Sequence, residues 1–437
     1  MAEAYPPQIY RRRRPELSVL YRALAYHFER FEQVYEQRFE PAFGFLRKVV
    51  RESVFRFLDC GILEQGFARL YCRECRRSFA VAFSCRQRCL CPSCHQKREL
   101  VWADFATEEL LEEVPHRQVV FTIPKRLRIH FRYDRKLLGE LAGCAWRATR
   151  LYLLAAFDSD DIKPGAVGFI QTSGELLRFH PHIHLLLADG AWLPDGSFRH
   201  LLYFDNQHVL RLFRAEVFRL LVGRGKISLE TVEEMLRWPH SGFSVHAAVR
   251  AETRDEAAQL GRYMIRCPIV LSRLEWDEER QEVVYTAQPG KATGPYGREA
   301  RWDVLDFIAR MTQHIPDPAQ QYQRYWGFYA NAARGKRRRD AAEDSESSEQ
   351  STAEHSEDEQ LEGWKKRRRI SWAQLIQKVF EVDPMLCSFC GGKLEILSFT
   401  LELGTIQKFL TAIDCPSQEP EPLGHSPPQA ELVFEPC

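Results

Sequence analysis

Apolar residues recur at helical spacing from residue 16 to residue 58, and "FERFEQVYEQRFEPAFGFLRKVVRESVFRFLDCG" shows the pattern best. It predicts two helices, broken at Pro41 and ended by Gly61. "VWADFATEELLEEV" (101–114) predicts another. Segments of β type then follow. "RQVVFTI" (117–123), "GAVGFIQTSG" (165–174), "FHPHIHLLLADG" (179–190) and "GFSVHAAVR" (242–250) read as strands, and a short glycine-containing link lets the second and third form a hairpin. Helical segments fall between them at 134–156, 208–222 and 229–237. "TRDEAAQLGRYMIR" (253–266) follows as a helix with Asp255 and Glu256 in the first turn, where the helix dipole favours acids. Residues 116–270 thus predict an α+β or α/β domain on a small sheet. "QEVVYTA" adds a strand and "RWDVLDFIARMTQHI" a helix. Both patterns then fail through "RGKRRRD", "AAEDSESSEQSTAEHSEDEQLEG" and "WKKRRR", which read as a disordered linker. The last part holds one helix, a Cys-x2-Cys turn, a strand at "LEILSFTL" and a frayed proline-rich end. The divisions are a helical region (1–70), a cysteine-rich region (71–100), the sheet domain (101–270), its extension (271–333), the linker (334–370) and a small C-terminal region (371–437).

With 437 residues, 45% of them hydrophobic, the chain has enough apolar surface for two or three packed domains. No apolar run approaches the roughly eighteen residues of a membrane span. "MAEAYPPQIYRRRRPELS" has no apolar stretch after its arginines and does not read as a secretory signal. The Arg11–Arg14 cluster is either a solvated arm or a contact for a polyanion. Charge is distributed unevenly. Residues 340–363 hold ten acidic residues and no Lys or Arg, and setting those charges aside raises the remainder from +1 to +11. The folded parts are therefore basic, as in a nucleic-acid binder.

Thirteen cysteines, six of them between residues 72 and 94, point to metal binding in a reducing compartment rather than to disulfides. Cys72-x2-Cys75 and Cys91-x2-Cys94 are fifteen residues apart, a spacing that suits one tetrahedral structural Zn2+ with four thiolates and no open position. Cys85, Cys89 and His95 are further ligand candidates, for exchange with a knuckle cysteine or for a second ion. Arg73, Arg76, Arg77, Arg86, Arg88 and Arg98 would attract phosphates to this module. Cys387 and Cys390 form one more knuckle without an evident second pair: either half of a zinc ribbon or a turn that carries two thiols.

His180, His182 and His184 share one side of a strand that is otherwise apolar. Imidazoles on a covered face need partners: hydrogen bonds or a metal. Downstream, Tyr263 lies on a helix between Arg262 and Arg266. A phenol is a poor nucleophile at its ordinary pKa of about 10, and becomes useful when a metal polarises a phosphate and nearby cations favour phenolate. Such a pairing of a histidine metal site with a helical tyrosine suits nicking of single-stranded DNA.

Taken together, "FLDCGILEQGFARLYCRECRRSFAVAFSCRQRCLCPSCHQKR", "RQVVFTIPKRLR", "PGAVGFIQTSGELLRFHPHIHLLLADG", "SGFSVHAAVRAETRDEAAQLGRYMIRCPI" and "VFEVDPMLCSFCGGKLEI" resemble the rolling-circle insertion-sequence transposases of the HUH endonuclease superfamily, in the group with an N-terminal zinc-binding region. The resemblance implies an α+β fold, with a central antiparallel sheet flanked by helices, the histidines on a middle strand, and a helical and zinc-knuckle region before it. It implies that His182 and His184 bind a catalytic Mg2+ or Mn2+. It makes Tyr263 the nucleophile that forms a 5′-phosphotyrosine and frees a 3′-hydroxyl, with Arg262 and Arg266 steadying the phosphate. Cys72, Cys75, Cys91 and Cys94 match the zinc knuckles, with Cys85 also in the pattern. The motif does not fix a third ligand for the catalytic ion; Gln171, on the neighbouring strand, is assigned here. The implied partners are single-stranded DNA at element ends and target DNA, in the cytoplasm and nucleoid, with no membrane. The chain departs from the family in three places. Cys267 stands where some members carry a second tyrosine, which marks a single-tyrosine variant. His180 replaces a frequent Asn, as an extra ligand or a supporting group. The acidic linker is unlike compact members. Rival readings are a domesticated DNA-binding regulator without the chemistry, a metallophosphoesterase using water, and a replication initiator of the same superfamily.

Overall fold

A computed structural model describes residues 14–288, 297–346, 385–387 and 389–412, with backbone alone for 341–346. The linker beyond Glu346, the proline-rich end and most of the Arg11–Arg14 cluster lie outside the described residues.

Ser18 caps α1 (Val19–Arg38) by accepting from the Tyr21 N–H at 3.2 Å. Leu20, Leu24, Phe28, Phe31 and Tyr35 make its buried stripe. The chain breaks around Pro41 and resumes as α2 (Lys48–Leu58). Two strands absent from the sequence reading follow, β1 (Phe67–Cys72) and β2 (Ser78–Ala82). Helix α3 (Pro92–Phe105) begins nine residues before the expected 101, because Pro92 at its first position presets the helical φ. Then come β3 (His116–Thr122), α4 (Lys136–Phe157), β4 (Gly165–Ser173), β5 (Phe179–Ala188), the small pair β6 (Gly190–Trp192) and β7 (Phe198–His200), α5 (Asn206–Gly223), α6 (Leu229–Leu236), β8 (Ser244–Ala251) and α7 (Arg254–Met264). The chain continues with β9 (Leu274–Asp277), β10 (Glu282–Thr286), β11 (Glu299–Trp302), α8 (Val304–Thr312), β12 (Gln323–Gly327), α9 (Asn331–Glu346), β13 (Leu394–Thr400) and α10 (Leu403–Ala412). Helix α9 carries the first residues of the segment expected to be disordered. Arg337 stacks on Phe328 and donates to its carbonyl, and Arg338 pairs with Glu109, which anchors the start of the charged run.

The fold is α+β. Its centre is a five-stranded, wholly antiparallel sheet in the order β12-β4-β5-β3-β8, so the histidine strand is in the middle. Alternation splits β5 between two environments. Ile183, Leu185 and Leu187 face a core closed by α4 and α5. His182, His184, Leu186 and Ala188 face the other way, where Trp102 of α3 and Ala257, Ala258 and Met264 of α7 cover the apolar end. A second core joins α1 and α2 to α8 and β10, so the N-terminal helices pack on residues 269–315 across the linear divisions. Its wall includes Leu176 and Leu177, the tip of the β4–β5 hairpin. Both adopt left-handed φ values of 58° and 52°, an unfavourable conformation for leucine that burial of both side chains offsets. Buried His314 pins this tip, hydrogen-bonding the Leu177 carbonyl and the Thr172 hydroxyl at 3.1 Å each.

Strand β13 pairs antiparallel with β1 in a three-stranded sheet, β13-β1-β2, so the C-terminal region returns to the cysteine-rich one. Among the described residues no helix is long and apolar enough to cross a membrane.

Candidate active site and metal centres

The histidines owe their placement to an irregularity. Gln171 of β4 faces His182, and Ser173 faces Phe179, so β5 carries one extra residue between these pairs, at His180 and Pro181. Pro181, which has no N–H to donate, occupies this interruption rather than a regular rung. Nδ1 of His182 donates to the carbonyl of His180 at 2.7 Å, which puts the ring proton on Nδ1. The side-chain amide of Gln118 is 2.8 Å from Nδ1 of His184, with Nε2 the nearer atom. This hydrogen bond orients the His184 ring on the strand face that it shares with His182. The two rings are 5.0 Å apart. Burial, reinforced by His182 and two arginines, pushes His180 down to about 3, so it is neutral.

Helix α7 starts from a capping box, in which Thr253 accepts from the Glu256 N–H and the Glu256 carboxylate reaches back. Ala257, Ala258, Gly261 and Met264 form its buried side. A Cβ on Gly261 would overlap the Trp102 ring, so only glycine lets α3 and α7 approach this closely. Tyr263 is 43% exposed, with the Arg266 guanidinium 3.9 Å over its ring. Gln171 donates to the Met264 carbonyl, which ties the strand position opposite His182 to the end of the tyrosine helix. Cys267 lies beyond that end, half-buried. Arg88, Arg98, Arg266, Gln171 and Met264 line one cleft there. Burial raises Glu99 of α3 to about 7, although Arg262, the Cys267 N–H and Arg266 pull the other way. The sequence offered no signal for this carboxyl.

The cysteines do not group as their spacing suggested. Cys72 and Cys75 do not share a site with Cys91 and Cys94. Cys91 and Cys94 meet Cys60 and Cys85 instead, and Cys72 and Cys75 meet Cys387 and Cys390. The reason is topological: β1 carries Cys72 to the edge where β13 begins, while Cys60 turns inward after α2. In the first set Cys60 is 3.8 Å from Cys91 and 3.6 Å from Cys94, and Cys85 is 3.6 Å from Cys94. Sulfurs around a tetrahedral zinc at about 2.3 Å lie about 3.8 Å apart, so the set fits the ion. Backbone N–H groups of Cys85 and Gln87 point at the Cys60 and Cys85 sulfurs, and hydrogen bonds from Cys60, Cys85 and Cys91 hold the Cys94 thiol far below its usual range. The spacing missed Cys60, although "FLDCG" was in view. His95 and Cys89 are not in either set. His95 bridges two elements: Nδ1 accepts from the Cys89 N–H at 3.0 Å, and Nε2 donates to the carbonyl of Ile265, the C-cap of α7.

Known proteins agree with this architecture. A family model described as a putative transposase matches residues 165–337, the span from β4 through α7 to α9. A transposase zinc-binding domain, of the type named for IS91, matches residues 27–123, which contain both N-terminal cysteine pairs. The transposase for insertion sequence element IS801 of Pseudomonas savastanoi pv. phaseolicola is 26% identical over 367 residues, 80% of this chain and 84% of that one. A putative transposase, y4qJ, of Sinorhizobium fredii is 33% identical over 130 residues, 29% of this chain and 31% of that one. No solved structure matches. The zinc-binding match and the thiol geometry together support structural Zn2+. With both matches in chain order and a relative aligned along most of its length, this chain belongs to the IS91-type insertion-sequence transposases, DNA-processing enzymes with an N-terminal zinc-binding region.

Proposed function

We propose that the protein nicks single-stranded DNA at the ends of its element and carries the cut strand on Tyr263. One observation carries the reading: Gln171, opposite His182, holds the Met264 carbonyl, so the helix bearing an exposed tyrosine is fixed against the histidine face. The Tyr263 oxygen attacks the scissile phosphorus. A tyrosine–phosphate bond forms at the 5′ side, the bond to the 3′ oxygen breaks, and the proton lost by the phenol is balanced by one gained by the departing 3′-hydroxyl. No water is consumed, so the phosphotyrosine retains the energy for joining to target DNA. Arg266 over the ring and Arg262 beside it supply positive charge for the phosphoryl oxygens. His182, His184 and Gln171 would hold Mg2+ or Mn2+, since β5 puts both imidazoles on one face, 5.0 Å apart, with Gln171 opposite His182 on β4. The ion's chemistry there is polarisation of the scissile phosphate. Arg88 and Arg98 in the adjoining cleft suit a phosphate backbone. With Cys267 in place of a second tyrosine, one nucleophile serves the transfer, in the nucleoid where element ends and target meet.

The test uses labelled single-stranded oligonucleotides from the flanks of the coding sequence, with magnesium or manganese, resolved on denaturing gels. A covalent protein–DNA band that disappears in Tyr263→Phe is expected. Cut DNA without an adduct would make water the nucleophile, and tight binding without cleavage would make the protein a DNA-binding regulator.

A further inference from the structure

We propose that Cys72, Cys75, Cys387 and Cys390 form a second structural zinc site, a zinc ribbon whose two knuckles lie more than three hundred residues apart, and that this ion staples the C-terminal segment to the N-terminal hairpin. The zinc-binding domain match ends at residue 123 and accounts for only half of this ligand set. The geometry is that of a closed S4 site. Cys72 and Cys390 are 3.5 Å apart, as are Cys75 and Cys387, and the four sulfurs lie within 4.8 Å of one another. The edge of a zinc–thiolate tetrahedron is about 3.8 Å.

The two turns share one construction. The Cys72 N–H donates to the Arg77 carbonyl at 2.9 Å, and the Cys387 N–H donates to the Gly392 carbonyl at 2.7 Å, so each first cysteine closes on the residue five places later. Gly391 takes a φ of 73°, which lets the second knuckle turn back into a strand. The Leu386–Lys393 bridge and β13 continue it, with Leu394 opposite Cys72. Contacts cross between the knuckles: Arg73 pairs with Glu395 at 2.8 Å, and Arg77 sits 3.4 Å over Phe389.

The apolar packing at the knuckles themselves is small, whereas the far end of the segment is anchored by a separate cluster of Leu63, Phe67, Ile406 and Leu410. The knuckle cluster comprises Leu70, Cys72, Val81, Cys387 and Leu394, and β13 buries only its two end residues of seven. The knuckle end of β13 has little core of its own, and a metal held from both sides would fix it to β1. Four thiolates around Zn2+ leave a net charge of −2; Arg73 and Arg77 reach across the knuckles, and the Glu74 carboxylate lies 3.9 Å from the Cys390 sulfur. Binding releases four protons from four thiols. The site is independent of the proposed nicking chemistry.

The test is metal content and thiol reactivity of the full chain, purified reduced and zinc-replete. Two zinc ions per chain are expected. Cys390, exposed to solvent, should resist alkylation until a chelator is added, as should Cys387, with peptide mass spectrometry locating the label. Cys387→Ser with Cys390→Ser should lower the content to one zinc and leave Cys60, Cys85, Cys91 and Cys94 protected. One zinc per chain in the unaltered protein, rapid alkylation of Cys390 in zinc-loaded protein, or a disulfide joining the two knuckles would each overturn the proposal. If the double variant fails to fold, the alkylation pattern of the unaltered chain decides alone.

Discussion

Replacing His95 with glutamine tests how the zinc region supports the tyrosine helix. His95 is 5% exposed and bridges Cys89 to the C-cap of α7 as a neutral imidazole protonated on Nε2. Burial pushes its pKa down to about 4 from 6.5; Arg98 and Arg88 add to the effect, and the Ile265 carbonyl and Cys94 oppose it. Between these two values the unfolded chain binds more protons than the native one, so stability falls as pH falls through the window. At about pH 5 the unfolded imidazole is nearly all charged and the native one mostly neutral, and the difference from about pH 7 comes to about 2 kcal/mol. Glutamine does not titrate. It spans the gap imperfectly, which costs roughly 1–3 kcal/mol at any pH. Urea unfolding of both chains at the two pH values is the assay. Zinc thiolates also protonate as pH falls, but in both chains, so the gap between them isolates His95. That gap should be largest near pH 7 and shrink by about 2 kcal/mol near pH 5. A gap independent of pH would show that the ring titrates as if in water and does not bridge the two elements.

Other consequences follow from single residues. Asp189 is fully buried between Arg117, which holds it through two bonds of 2.9 and 3.0 Å, and Arg250 at 2.7 Å. Asp189→Asn strands the Arg117 charge and should cost roughly 3–5 kcal/mol in urea unfolding, and an unchanged midpoint would mean the triad is solvated. Gly261→Ala should cost roughly 1–3 kcal/mol by overlap with Trp102, with part restored by adding Trp102→Phe; no loss would place α7 farther from α3. Cys60→Ser should remove one zinc and leave Cys387 and Cys390 protected from alkylation, whereas grouping by linear spacing expects Cys60→Ser to leave zinc content unchanged. Because Glu99 titrates near 7, its carboxylate forms above that pH and competes with phosphate for Arg262 and Arg266. Oligonucleotide affinity should therefore drop as pH rises through about 7, and Glu99→Gln should flatten that drop; parallel profiles would remove Glu99 from the site.

What the sequence made legible was what local period encodes. Strands β3, β5 and β8 alternate over part of their length, β4 is a continuous apolar run up to Gln171, and each lies within a few residues of its expected place. Strand β12 escaped because Gln323–Gly327 has one exposed and four half-buried residues and so shows no alternation. The knuckle spacing revealed three Cys-x2-Cys turns correctly but could not say which turns share an ion. That depends on β1 pairing with β13, a contact between residues more than three hundred positions apart, and on a lone Cys60 with no partner spacing at all. His95 and Glu99 were beyond reach for a related reason. Their roles come from the packing of α3 across α7, which no local pattern encodes.

The tyrosine helix shows why these non-local contacts matter for chemistry. Three of them converge on its last turn and cap: Gln171 on Met264, His95 on Ile265, and Trp102 on Gly261. One comes from the histidine sheet and two from the helix that ends the zinc-binding region. Tyr263 projects from the opposite side of this braced turn and remains exposed, with Arg266 against its ring. The helix is thus positioned through its backbone and buried side, while the phenol stays exposed. The proposed nucleophile, which would form and later break a bond to a large substrate, would benefit from that division, because rigidity in the support does not obstruct the phenol oxygen. In the proposed reaction the zinc-binding region would act from a distance, by fixing α3 and with it the direction in which Tyr263 points.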